Sequence, residues 1–163
     1  MTAIKNPVSM LVALLLAISS VRAQIDTEFW FVAPNITEGH GDAPIVFRFT
    51  AFAEDAQVSI IQPASTLWTP INITVPAGQT RSIDVTARLG LLENKPAFKP
   101  LDKGIFIQSN RPITAYYEVN NQFNPDIFAL KGRNALGKEF FIPAQNYWSN
   151  AAGLDPPARS AFD

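Results

Sequence analysis

From residue 24 onward, short apolar runs are interrupted by Pro, Gly and Asn at intervals of about ten residues. That spacing predicts a β-sandwich or barrel. Phe29–Ala33 (FWFVA) is apolar at every position, which predicts a strand buried on both faces. Ile45, Phe47 and Phe49 alternate with Val46, Arg48 and Thr50, so the second strand has one inner face. Val58 and Ile60 predict a third strand that stops at Pro63. Ile71, Ile73 and Val75 predict a fourth, ended by a Pro76-Ala77-Gly78 turn, with Ile83 and Val85 on the return strand of that hairpin. Ala87 to Lys103 has no sustained period and two prolines, and is expected to be a loop with room for one helical turn.

Alternation resumes at Gly104. Ile105 and Ile107 alternate with Phe106 and Gln108, and Asn110-Arg111-Pro112 is expected to make a tight turn. Ile113, Ala115, Tyr117 and Val119 would form the facing strand of a second hairpin. Asn120 to Pro125 follows as a polar loop, Asp126 to Leu130 as a short apolar segment, and Phe140 to Ile142 as the core of a last strand. No amphipathic run of helical length occurs after the leader, so the expected class is all-β, an antiparallel β-sandwich.

Residues 1–23 have the pattern of a secretory signal peptide. Lys5 supplies the positive start, Met10 to Ile18 is an apolar core of nine residues, and Val21-Arg22-Ala23 is a small-x-small cleavage site. The core is about half the roughly 20 residues needed to cross a bilayer, so cleavage after Ala23 is favoured over a retained anchor. No later stretch is as long and apolar, so no membrane span is expected after cleavage, and the localisation expected is secreted or cell-surface. Residues 24–163 then form one module, of a size that can bury a substantial core.

Lys5 and Arg22 leave with the leader, and the balance of 13 basic against 14 acidic residues becomes 11 against 14. There is no basic field to hold a phosphate backbone, so nucleic acid is not an expected partner. The chain has no cysteine, which excludes thiol catalysis, Cys-ligated zinc, iron–sulfur clusters and a disulfide framework. Two Asn-x-Thr triplets, Asn35-Ile-Thr37 and Asn72-Ile-Thr74, would accept glycans in a eukaryotic host, though chance in a Thr-rich β protein is the favoured reading.

Candidate chemistry is sparse. His40 is the single histidine, between Glu38 and Asp42, but the spacing fits no zinc or calcium pattern, and a solvated loop is the favoured reading. No serine sits in a Gly-x-Ser-x-Gly elbow. Asp55, Asp84, Asp102, Asp126 and Glu139 fall at expected strand ends or turns, where Asp commonly ties down backbone. No catalytic residue, metal ligand or cofactor site is assigned. The candidate binding residues are aromatic: Trp68 in the Ser65–Pro70 turn, and Tyr147 and Trp148 after the last strand. They suit a protein or glycan ligand, against the alternative of edge aromatics that cover the end of the core.

Several segments in order resemble one family. They are Thr27-Glu28-Phe29-Trp30, then Gly104-Ile105-Phe106-Ile107-Gln108-Ser109-Asn110-Arg111-Pro112-Ile113-Thr114-Ala115-Tyr116, then Asp126-Ile127-Phe128-Ala129-Leu130 with Ala135-Leu136-Gly137-Lys138-Glu139-Phe140. This set is similar to the IgGFc-binding protein N-terminal domain, a family also found in bacterial surface proteins, over residues 26–163. The resemblance implies a β-sandwich used for binding or display, with no catalytic residues to carry over. The expected function is an exported, non-enzymatic surface or adhesion module that binds protein or glycan. The alternatives are a structural spacer and, less favoured, part of a secreted hydrolase. The ending, Pro156-Pro157 followed by Ser160-Ala161-Phe162-Asp163, resembles a linker entering another strand, so the module is expected to be truncated at its C-terminal end.

Overall fold

The computed structural model describes residues 24–36, 43–96, 99–122 and 125–136. Its strands are β1 (Asp26–Phe31), β2 (Ile45–Ala51), β3 (Ala56–Ile61), β4 (Ile71–Val75), β5 (Thr80–Asp84), β6 (Ile105–Val119) and β7 (Asp126–Ala129). A 3-10 turn at Thr86–Arg88 leads into α1 (Leu89–Leu92), the single helical turn for which the 87–103 segment had room. The protein is all-β and antiparallel, as expected, and its sheet curls nearly into a barrel. The expected strand at Phe140–Ile142 lies outside the described residues. No helix among the described residues is long and apolar enough to cross a membrane.

The frame is β6. It is one strand of 15 residues, about 50 Å long at 3.3 Å per residue, where most strands have 3–10. Its first half lies between β1 and β3, and its second half between β2 and β7. β4 then adds outside β3, and β5 outside β2. Two half-sheets, β1-β6-β3-β4 and β7-β6-β2-β5, thus share one strand. The hairpin expected at Asn110-Arg111-Pro112 is not formed; the chain passes through these residues as part of one strand, without reversing.

Proline normally argues against the middle of a central strand, because it cannot donate to a ladder. Here no ladder needs it. Pairing with β2 ends at Ala51–Ile113, and pairing with β3 starts at Val58–Ser109. On the other side the register slips between Asp26–Ile113 and Glu28–Gln108, so Thr27 alone faces residues 109–112. The bulge interrupts the pairing where β6 bends, and the ladders resume on either side.

β4 and β5 correct the other hairpin in the same way. They pair with β3 and β2, not with each other. Pro76-Ala77-Gly78 is a corner, with Gly78 at φ +67°. The corners of successive strands are tied together. The Gln57 amide donates to Asn110 Oδ1 (2.8 Å), Ala77 N to Asp55 Oδ1 (2.8 Å) and Gly78 N to the Phe52 carbonyl (2.7 Å).

Both halves turn alternate residues into one core. Phe29, Ile60, Val75, Ile107, Phe47, Phe49 and Tyr117 belong to the same buried cluster. Phe31 packs on Tyr117 at 4.6 Å between ring centroids, and Phe47 at 5.4 Å. β1 departs from the expected two-sided burial. Phe29 is buried and Phe31 half-buried, but Trp30 and Val32 are 57% and 61% exposed. Among the described residues β1 has a core on one side only.

The corner generates a stability prediction. Gly78→Ala forces an L side chain into positive φ and is expected to cost about 1–2 kcal/mol. Gly104→Ala, with no atom near the added Cβ and no positive φ, should fall within about 0.5 kcal/mol of the parent. Urea denaturation of the two variants checks the difference.

Candidate functional site

Of the aromatics singled out in the sequence, Tyr147 and Trp148 lie outside the described residues, as does the Glu38-His40-Asp42 cluster. Trp68 is not an exposed platform. It is 5% exposed, its indole N–H donates to the Ile60 carbonyl at 2.9 Å, and the Arg88 guanidinium lies 4.7 Å above its ring. It closes the end of the core, the alternative that the sequence left open. The turn around it is short and polar, which is why its ring looked free in the sequence.

Among the described residues Trp30 (57%) and Phe52 (44%) are exposed aromatics, and of the two only Trp30 stands on a strand. Side chains alternate across a strand, so Glu28, Trp30 and Val32 share the outer face of β1. Register carries that face across the half-sheet. Trp30 is opposite Phe106, which is opposite Ile61, and the Trp30 and Phe106 rings stack at 4.6 Å and 28°. Two residues along, Glu28 is opposite Gln108, Gln108 opposite Ser59, and Ser59 opposite Asn72. An apolar row and a polar row therefore run side by side across the strands. Phe106 holds the indole from one side, and its remaining surface faces solvent.

A cleft of about 140 Å³ adjoins Trp30, lined also by Glu28, Lys131, Gly132, Arg133 and Leu136. Its wall is fixed by Asp26, which is buried at the start of β1. Asp26 Oδ1 accepts from Arg133 Nη2 (2.9 Å) and from the Thr27 amide (2.7 Å), and Oδ2 accepts from the Arg133 amide (2.8 Å). Burial works to raise the Asp26 pKa, but the Arg133 side-chain bonds, the two amides and the Arg133 charge outweigh it and hold the carboxyl below its ordinary value. Gly132 bridges to Phe29, and any Cβ there would collide with Asp26.

The loops at the far end hold backbone. Glu93 is fully buried in the aperiodic 87–103 segment; its Oε1 accepts from the Ile36 amide (3.1 Å) and its Oε2 pairs with Lys95 (2.6 Å). The Lys103 ammonium donates to the carbonyls of Gly90 (2.9 Å) and Glu93 (2.7 Å). A cavity of about 350 Å³ at this end has walls that include Gln62, whose amide is spent on the Leu91 carbonyl at 2.7 Å. Nothing in the periodicity marks Glu93. Asp55, Asp84 and Asp126 do tie down backbone amides, those of Ala77, Thr86 and Ile127, each at 2.8 Å. Glu139 lies outside the described residues. Among the described residues no group of three or more His, Asp or Glu is placed to hold a metal.

Neither a protein-family model nor a curated protein matches the chain. Among solved structures it is similar to the Anabaena sensory rhodopsin transducer, with 30% identity, 56% of this chain and 79% of that one covered, and a TM-score of 0.33. It is also similar to Thermotoga maritima 1070, with 12% identity, 65% of this chain and 92% of that one covered, and a TM-score of 0.35. At TM-scores this low, neither likeness bears on function.

Two outcomes follow for the Asp26 corner. Its carboxyl has a folded pKa below the ordinary 3.8, so its stabilisation is complete above that value and is lost as pH falls through the folded one. Asp26→Asn should cost about 1–2 kcal/mol at neutral pH and flatten the acid limb of a stability–pH curve. Gly132→Ala should cost about 1–3 kcal/mol, because the collision is with a Cβ and not a flexible tip. Thermal and urea unfolding across pH measure both.

Proposed function

We propose that the chain is an exported, non-enzymatic surface or adhesion module that binds a protein or glycan ligand, and that the ligand meets the outer face of β1-β6-β3-β4. The observation that carries this is Trp30. A large aromatic 57% exposed on a regular strand, with one ring face stacked on Phe106 and exposed Val32 on the same side of the strand, forms contiguous apolar surface of the kind that marks an interaction site. Its setting beside a polar row suits recognition, since ligand sites combine an aromatic surface with a few placed polar groups. The signal-peptide pattern of residues 1–23 supports export, and the resemblance to the IgGFc-binding N-terminal domain supports a module of the binding or display class. The acids whose partners are described hold backbone or pair with cations, which supports a non-enzymatic role.

Relocating the site from the loop aromatics to the sheet face has a direct test. In pull-down and glycan-array binding by the full chain, Trp30→Ala should abolish capture while leaving the unfolding midpoint nearly unchanged. Trp68→Ala should instead lower stability by about 3–5 kcal/mol, as loss of a buried aromatic does. Binding unaffected by Trp30→Ala contradicts this placement, and no binding to any glycan, matrix protein or immunoglobulin would leave the spacer role.

A further inference from the structure

We infer that the occupant of this face is an uncharged saccharide chain laid across the strands; this rests on the binding-module function proposed above and names its ligand. One row on the β1-β6-β3-β4 half differs from the rest of the outer face in how its polar groups are used. On the β7-β6-β2-β5 half those groups satisfy one another. Arg48 pairs with Glu118 and donates to Ser82 Oγ (2.9 Å), and the Thr50 and Thr80 hydroxyls bond at 2.8 Å. On the β1-β6-β3-β4 half the Thr74 hydroxyl likewise bonds Gln57 Oε1 (2.9 Å), but Gln108, Ser59 and Asn72 stand in one row with no side-chain partner among the described residues, and Gln108 and Asn72 are exposed.

The chemistry of that row selects its ligand. Two amides and a hydroxyl each donate and accept, as sugar hydroxyls do, and Glu28 adds an acceptor at the end of the row. The parallel row of Trp30, Phe106 and Ile61 offers an apolar surface that matches the C–H face of a pyranose ring. At 4.7–4.9 Å between strands, the row from Glu28 to Asn72 spans about 14 Å, the length of a short oligosaccharide. The apolar row lies about 7 Å to one side of it, two residues along the strands.

Charge argues for a neutral ligand. Glu28 is the one charged member of the row, and Arg133 lies 3.9 Å from it, so no net field is available to hold a sulfated or sialylated chain. An extended peptide would add to an open strand edge rather than lie across a face. Asn72 begins an Asn-Ile-Thr triplet, so the protein for binding work should come from a bacterial host that does not N-glycosylate it.

The test uses the full chain on an array of neutral, sialylated and sulfated glycans, followed by calorimetric titration with the neutral oligosaccharide that binds best. Binding confined to neutral glycans is expected, with affinity nearly equal at low and physiological salt. Trp30→Ala should weaken it about tenfold or more, Trp30→Phe less, and Gln108→Ala several-fold with an unchanged unfolding midpoint. Preference for sulfated or sialylated glycans, or neutral-glycan binding untouched by Trp30→Ala and Gln108→Ala, would overturn the inference. Capture of immunoglobulin or a matrix protein through Trp30, with no glycan bound, would overturn it and leave the binding-module function standing. Binding to neither class would overturn both.

Discussion

Everything in this fold depends on one strand being long enough to serve two half-sheets and able to bend where they meet. β6 supplies pairing to four neighbours, β1 and β3 along its first half and β2 and β7 along its second. A flat strand of 15 residues would leave the halves in one plane with their apolar sides open to water. The bend at Asn110-Arg111-Pro112 brings them round a common core, and the β2–β3 and β4–β5 corners follow it outward. Three corners at the same level, each tied to the next, confine the interruption of the ladders to the place where the sheet curls.

Much of this was legible in the sequence, because period-2 alternation survives in every strand with one buried face. Ile45, Phe47 and Phe49, or Ile113, Ala115, Tyr117 and Val119, can be assigned to the core by spacing alone. What spacing does not report is whether the chain reverses at a polar triplet or bends there. With a three-residue interruption, Ser109 and Ile113 fall on the same face either way. The discriminating signal is weaker: three-residue hairpin loops ordinarily place Gly in a left-handed position, and Asn110-Arg111-Pro112 has none. At Pro76-Ala77-Gly78 the glycine is present and does adopt positive φ, yet the strands still do not pair, because β3 and β2 are already in place to receive β4 and β5.

The candidate binding face was hidden for a related reason. In Phe29–Ala33 an unbroken apolar run resembles a strand buried on both sides, and Trp30 differs from its neighbours only because no second layer covers β1 among the described residues. Trp68 misleads in the opposite sense. Its flanking Ser, Thr and Pro residues look solvated, while the indole N–H has a buried carbonyl to satisfy and a cation to cover its ring. Exposure of an aromatic is a tertiary property, and local polarity predicts it poorly when a turn folds back on the core. The Asp26–Arg133 contact, more than a hundred residues apart, fixes the cleft beside Trp30 and has no local trace in the chain.

The continuity of β6 is the claim on which both the core and the candidate face stand, since only an unbroken strand sets Phe106 between Trp30 and Ile61. Nuclear Overhauser contacts between backbone protons measure it directly. Cross-strand contacts are expected from Phe106 and Ile107 to β1 (Trp30, Phe29) and to β3 (Ile61, Ile60), with none joining residues 105–109 to 113–117. Contacts between Ser109 and Ile113, continuing to Ile107 and Ala115, would show a hairpin and contradict the continuity of β6.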